Sequence, residues 1–156
     1  MTSVTVTAAH HDDMKSFVAS VTGLFREDAG THDPSMDITW PVREGLAYYC
    51  GLLSDESCLL AVARDGDQII GHLVGKLLEP DSLRLQRFAV LESMRVDPSR
   101  RGGGIGSMLI DHFLRWARQR GAQQASVTAF AANQRAQHVY QRHGFTPVAV
   151  TMRAAV

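Results

Sequence analysis

The chain has 156 residues, long enough for one domain and short for two, and its 45% hydrophobic, 21% charged composition excludes disorder, collagen-like repeats and a disulfide-dense scaffold. Net charge is zero, yet residues 1–60 hold three basic side chains against nine carboxylates, while residues 84–156 hold eleven arginines against Glu92, Asp97 and Asp111. A balanced total disfavours nucleic acid as a partner, and the split is either a solvated accident of folding or the mark of a polyanion site in one half and a cation site in the other.

No apolar run approaches the roughly 20 residues that span a bilayer, so no membrane partner is expected. The stretch from Met1 to His11 lacks the basic and apolar regions of a signal peptide, which makes the cytoplasm the expected location. Cys50 and Cys58 have no metal or redox spacing and read as small buried hydrophobes. No repeat or Pro/Gly/Ser-rich linker interrupts residues 1–156, which are therefore read as a single domain.

In chain order, Val4 to Thr7 reads as a first strand. Asp12 or Asp13 could cap a helix that carries Met14, Phe17, Val18, Val21 and Leu24 at helical spacing. Residues 26–40 lose the pattern amid Gly30, Pro34 and several Asp, which predicts a loop of functional length. Pro41 suits the first turn of a second helix running to about Leu53. Residues 58–63 and 68–74 form a predicted hairpin around Asp65-Gly66-Asp67, and residues 88–96 a long central strand. Ile105, Met108, Leu109, His112, Phe113, Trp116 and Ala117 share one face of an amphipathic helix stopped by Gly121, with His112 read as a hydrogen-bonded core residue. Residues 125–130 read as a strand, and Asn133 opens a last helix with Ala136, Val139, Tyr140 and His143 on one face and Gly144 as its stop. Residues 148–152 complete the set as a final strand, and the strand-helix alternation predicts an α/β or α+β sheet.

The chemistry concentrates in Arg100-Arg101-Gly102-Gly103-Gly104-Ile105-Gly106-Ser107, between the central strand and the strongest helix. A glycine-rich turn into a helix exposes backbone N–H groups where the helix dipole favours negative charge, and glycine lets a phosphate approach without meeting a Cβ. Arg100 and Arg101 add forked donors for phosphate oxygens. The turn lacks the Gly-Lys-Ser/Thr of a nucleotide-triphosphate loop, and its glycines do not fit the GxGxxG spacing of a dinucleotide fingerprint. The seven histidines show no HxxxH or HExxH pairing, so no metal is expected.

Arg101-Gly102-Gly103-Gly104-Ile105-Gly106, preceded by Val96-x-Pro98, resembles the pyrophosphate-binding signature of the GNAT superfamily of N-acetyltransferases. Asn133-x-x-Ala136-x-x-x-Tyr140-x-x-x-Gly144-Phe145 is similar to that family's second acetyl-CoA motif, in the expected order. The resemblance implies a mixed sheet of about six to seven strands, splayed between the fourth and fifth, flanked by about four helices. It implies acetyl-CoA as co-substrate, its pantetheine arm paired with the backbone of Met94, Arg95 and Val96, and its phosphates held by Arg101, Gly102, Gly103, Gly104, Ile105, Gly106 and Ser107. Asn133 reads as a cap and cofactor contact.

By the same resemblance Tyr140 matches the tyrosine that protonates the departing CoA thiolate, while its position on the apolar helix face leaves a core aromatic as the alternative. Strand alternation puts Glu92 on one face with Met94, and burial in an apolar strand would turn it into a useful base for the amine; the alternative is an ion pair with Arg87 or Arg95. The implied activity is direct acetyl transfer to an amine in a ternary complex, the amine borne by a small molecule or a peptide. A cationic acceptor, such as a polyamine or an aminoglycoside-like sugar, follows from Glu27, Asp28, Asp33 and Asp37 in the first long loop. The competing readings are a non-catalytic acyl-CoA-binding module and a transferase of longer acyl chains. A homodimer is common among proteins of this resemblance.

Overall fold

The computed structural model describes residues 3–156. Five strands, β1 (Val4–Ala8), β2 (Cys58–Asp65), β3 (Gln68–Leu78), β4 (Phe88–Val96) and β5 (Gln124–Val127), lie side by side in chain order. The first three pairings are antiparallel and β4 with β5 is parallel, which gives a mixed sheet. The helices are α1 (Met14–Leu24), a single turn α2 (Gly30–His32), α3 (Leu46–Leu52), α4 (Ile105–Gln119) and α5 (Gln134–Arg142).

Each sheet face buries one helix layer. Leu109, Ile110, Phe113 and Trp116 of α4 pack on Ala61, Leu73, Ala89 and Leu91, while Met14, Phe17 and Val21 of α1 and Tyr49 of α3 cover Leu60, Val62 and Val74. Phe17 and Phe113 are fully buried, so truncating either to Ala would cost about 3–5 kcal/mol. Gly75 makes room for this packing, because a Cβ there would stand 3.0 Å from the Phe113 ring.

Two features of β4 open the sheet. Its ladder with β5 runs only from Phe88 and Gln124 to Leu91 and Val127, so residues 92–96 leave β5 behind. On the other side Gly75 pairs with Leu91 and Val74 with Ser93, making Glu92 a bulge residue with no partner on β3. A bulge inverts the alternation beyond it. Met94 and Val96 consequently join the α4-side core with Leu91, so Glu92 and Met94 do not share a face as simple alternation predicts.

Several boundaries differ from the sequence reading. The predicted loop at 26–40 begins as helix, since wide helical turns at Phe25–Ala29 extend α1 into α2. Neither Asp12 nor Asp13 caps α1 with its side chain; Asp13 instead accepts the His10 N–H at 2.7 Å and pairs with Arg64. The strand expected at 125–130 stops at Val127. Residues 148–152 form no strand, and Val148, Val150 and Met152 are exposed, so the described sheet has five strands rather than six to seven. Extended propensity needs a ladder to become a strand, and the short β5 gives this segment little to pair with. His112 is half-buried rather than in the core; the fully buried histidine is His72. Cys50 and Cys58 are half-buried against the α1-side core rather than fully inside it.

Candidate active site

The parting of β4 from β5 creates a cleft of about 930 Å³. Its floor and walls come from Met94, Arg95 and Val96 of β4, from Thr128 and Ala129 just past β5, and from Val139 and Tyr140 of α5. The turn before α4 closes one end with Arg101, Gly102, Gly104, Ile105, Gly106 and Ser107. Of the residues expected around a phosphate ligand, Arg100 and Gly103 stand outside the cleft lining, and Asn133 lies within it.

Backbone conformation explains the glycines. Gly102 and Gly104 sit at φ +82° and +84°, where a side chain is strained, and a Cβ on either would meet no protein atom within 4 Å. The space beside them is therefore cleft. Gly104 caps α4 without any side-chain hydrogen bond, so the first-turn N–H groups of that helix remain available to an anion.

Two arginines of the cleft, Arg95 and Arg101, are already partnered. Arg101 donates to the Val96 carbonyl at 2.9 Å and to Glu27 at 2.6 Å, and Arg95 donates to Glu27 at 2.8 Å and to Asp97 at 3.0 Å. Burial alone would raise the Glu27 carboxyl, but the hydrogen bonds from Arg95 and Arg101 outweigh it and hold the group below the usual range. Arg100 is not a cleft residue; its guanidinium is committed to Asp65 at 2.7 Å. Asn133 caps α5 by accepting the Ala136 N–H at 3.1 Å, and its amide donates to Asp28 at 3.3 Å. Burial, then the charge of Asp28, pushes the Tyr140 hydroxyl up to about 12, so it keeps its proton at neutral pH.

A second, smaller pocket of about 250 Å³ adjoins the cleft, and Leu24 and Asp28 line both. Phe25, Ala29, Met36, Tyr48, Tyr49, Val74, Glu92 and Ser93 complete it. Glu92 is exposed here and not buried. The ion-pair alternative for Glu92 fails as well, because Arg87 pairs with Glu79 and Arg95 with Glu27 and Asp97. Burial of Tyr49, with smaller contributions from Tyr48 and Glu92, raises its hydroxyl to about 12.

The structure thus divides the two residues read as catalytic between adjoining spaces: Tyr140 faces the cleft and Glu92 the small pocket. Asp28, which joins the two with Leu24, was among the acids read as facing an acceptor, whereas Leu24 was read only as an apolar residue of the first helix. Arg135, His138 and Arg142 of α5 also line the cleft, and their i, i+3, i+7 spacing was a legible sign of a shared helix face. Of the four acids assigned to an acceptor-facing patch, Glu27 is held by two arginines, Asp33 is buried against Ser35 and Arg153, and Asp37 pairs with Arg43. Asp28 alone among them lines the small pocket.

Comparison with known proteins agrees with this architecture. The chain is 36% identical over 111 residues to a mycothiol acetyltransferase of Beutenbergia cavernae, covering 70% of this chain and 33% of that protein. It is 36% identical over 92 residues to a streptothricin acetyltransferase of Streptomyces lavendulae, covering 59% of this chain and 46% of that protein. It therefore spans less than half the length of either relative. The crystal structure of an aminoglycoside acetyltransferase, meta-AAC0020, from an uncultured soil metagenomic sample in complex with sisomicin superposes with a TM-score of 0.73 at 17% identity, over 98% of this chain and 96% of the other. Residues 20–145 match the acetyltransferase (GNAT) family, and with the glycine cradle and parted strands in place the chain belongs to that family.

Proposed function

We propose that the protein transfers the acetyl group of acetyl-CoA to the primary amine of a small cationic acceptor, directly within a ternary complex. The observation that carries the reading is the junction of the two spaces at Leu24 and Asp28, with Tyr140 on one side and Glu92 on the other. Acetyl-CoA is the acyl donor of the family, and the cradle fits it. Open space beside Gly102 and Gly104, bare N–H groups at the start of α4 and Arg101 suit a pyrophosphate, while the β4 edge at Met94 and Arg95, beyond the ladder with β5, offers backbone to an amide-bearing arm. The bound co-substrate supplies an activated thioester.

Within that frame Tyr140, holding its proton, is the acid for the leaving sulfur, and Glu92, exposed on the bulge, takes the amine proton directly or through a water. Two carboxylates, Asp28 and Glu92, and the rings of Tyr48 and Tyr49 make the small pocket suitable for an ammonium group, by charge and by cation–π attraction. A basic acceptor is consistent with the aminoglycoside and streptothricin named for the similar proteins. The test is a panel of amines assayed by free-thiol release. Polycationic primary amines are expected to turn over faster than neutral ones, with an advantage that shrinks as salt rises and is lost in Asp28→Asn. Tight acetyl-CoA binding without thiol release from any amine would instead identify a non-catalytic binding module.

A further inference from the structure

One polar network in the core plays no part in the scheme above. His72 on β3 is completely buried, and both ring nitrogens are engaged: Nδ1 lies 2.6 Å from Ser20 Oγ of α1 and Nε2 lies 2.7 Å from Ser93 Oγ of β4. The ring also packs against Phe17, with centroids 5.1 Å apart. Burial, followed by the positive charge of Arg95, lowers the His72 pKa to about 3, so the imidazole is neutral over any working range. A buried polar trio contributes little stability over an apolar replacement of the same shape. What distinguishes this one is its outer end, because Ser93 is a wall of the small pocket, next to Glu92.

The geometry points to Ser93 as the residue that holds the acceptor amine by one N–H, its hydroxyl fixed in direction by His72 and Ser20. This assignment rests on the acceptor reading of the small pocket. In either tautomer of a neutral imidazole, one hydrogen bond to Ser93 leaves its oxygen at least one lone pair to accept an N–H from the pocket. The walls otherwise offer an ammonium the carboxylates of Asp28 and Glu92, and apart from the hydroxyls of Tyr48 and Tyr49 their remaining side chains are apolar. A primary ammonium carries three N–H donors, one each for Asp28, Glu92 and Ser93. After Glu92 takes one proton, Asp28 and Ser93 retain the other two N–H bonds and leave the lone pair free for attack. A secondary amine, with one N–H fewer after deprotonation, must leave one of these partners unused. Ser93 is thereby a positioning and specificity residue for primary amines.

The test compares a primary amine with its N-methyl analogue in the wild type, Ser93→Ala and Ser93→Thr. Ser93→Ala should lower kcat/KM for the primary amine roughly ten-fold, the worth of one hydrogen bond, and change the N-methyl analogue by less than about two-fold. Acetyl-CoA affinity should stay near wild type while Tm falls by a few degrees, because buried His72 Nε2 loses its partner, and Ser93→Thr should restore most of the preference. His72→Gln combined with Ser93→Ala should lose no more than Ser93→Ala alone, since His72 acts through that hydroxyl. Equal losses for both amines, or no loss, would overturn the role of Ser93 while leaving the acceptor pocket in place. Absence of turnover by the wild type with every amine would overturn the pocket reading itself.

Discussion

In the proposed reaction Tyr140 and Glu92 divide acid and base work by environment. The tyrosine is pushed up to about 12 by burial and by Asp28, which makes it a reservoir of one proton that a newly formed thiolate can draw on. Tyr140→Phe should lower kcat by roughly 10²–10⁴-fold with little change in acetyl-CoA affinity, measured by steady-state kinetics beside calorimetry. A kcat within a few-fold of wild type would return Tyr140 to a packing role against Phe145, whose ring lies 5.9 Å away. Glu92→Gln preserves size and cannot accept a proton. The acidic limb of the pH–rate profile should flatten as kcat falls, and an intact limb at normal kcat would leave Glu92 as a binding residue. Gly23 shows how tightly the neighbouring residues are set, because a Cβ there would stand 2.5 Å from the Arg95 guanidinium and displace the partner of Glu27.

Among the elements, the turn before α4 carries the cofactor reading, and backbone strain must be separated from obstruction of the cleft. Gly104→Ala places a Cβ at φ +84°, costing about 1–2 kcal/mol, and projects it into the cleft. Gly66→Ala imposes comparable strain at φ +61° in the β2–β3 turn, away from the cleft. Both variants should lose a few degrees of Tm, but only Gly104→Ala should weaken acetyl-CoA binding in calorimetry. Equal affinity in the two would remove the turn from the binding site. A second element, the helical extension Phe25–Ala29, reaches across the cleft through Glu27 to Arg95 and Arg101 and through Asp28 to Asn133. In the proposed complex pyrophosphate would compete with Glu27 for the Arg101 guanidinium. Glu27→Gln should therefore raise acetyl-CoA affinity several-fold while lowering Tm, and weaker binding would show that Glu27 orients Arg101 instead.

Across the whole molecule, part of the uneven charge of the two halves resolves into internal pairing. Glu27 meets Arg95 and Arg101, Asp33 meets Arg153, and Asp65 meets Arg100, each joining residues far apart in the chain. Asp13 belongs to the same pattern, for the hydrogen bond from Arg64 holds its carboxyl below the usual range. A carboxyl depressed on folding adds stability above its unfolded pKa and loses it as pH falls through the folded value. Tm should therefore drop on acidification below about pH 4, near the unfolded carboxylate value, and the drop should be smaller in Asp13→Asn, which starts lower at neutral pH. A variant whose Tm falls in parallel with the wild type would show that this pair has no part in acid sensitivity.

The amino-acid sequence by itself determined the parts whose cause is local. The glycine turn, the apolar stripe of α4, the Asn133 cap and the stops at Gly121 and Gly144 all appear where expected, because positive φ, helical period and capping act within a few residues. The same reach was enough to gather Arg101, Asn133 and Tyr140 on one cleft. Only the tertiary structure decided where Glu92 points, since the bulge that exposes it is a register choice between β3 and β4 that no single strand contains. The same holds for the partners of Glu27, 68 and 74 residues away, for Asp28 with Asn133 at 105, and for Ser20 with His72 at 52. Such contacts follow from how the sheet stacks its strands and where α1 lands on it, and hydrophobic period sets which face is buried without naming the polar group it will meet.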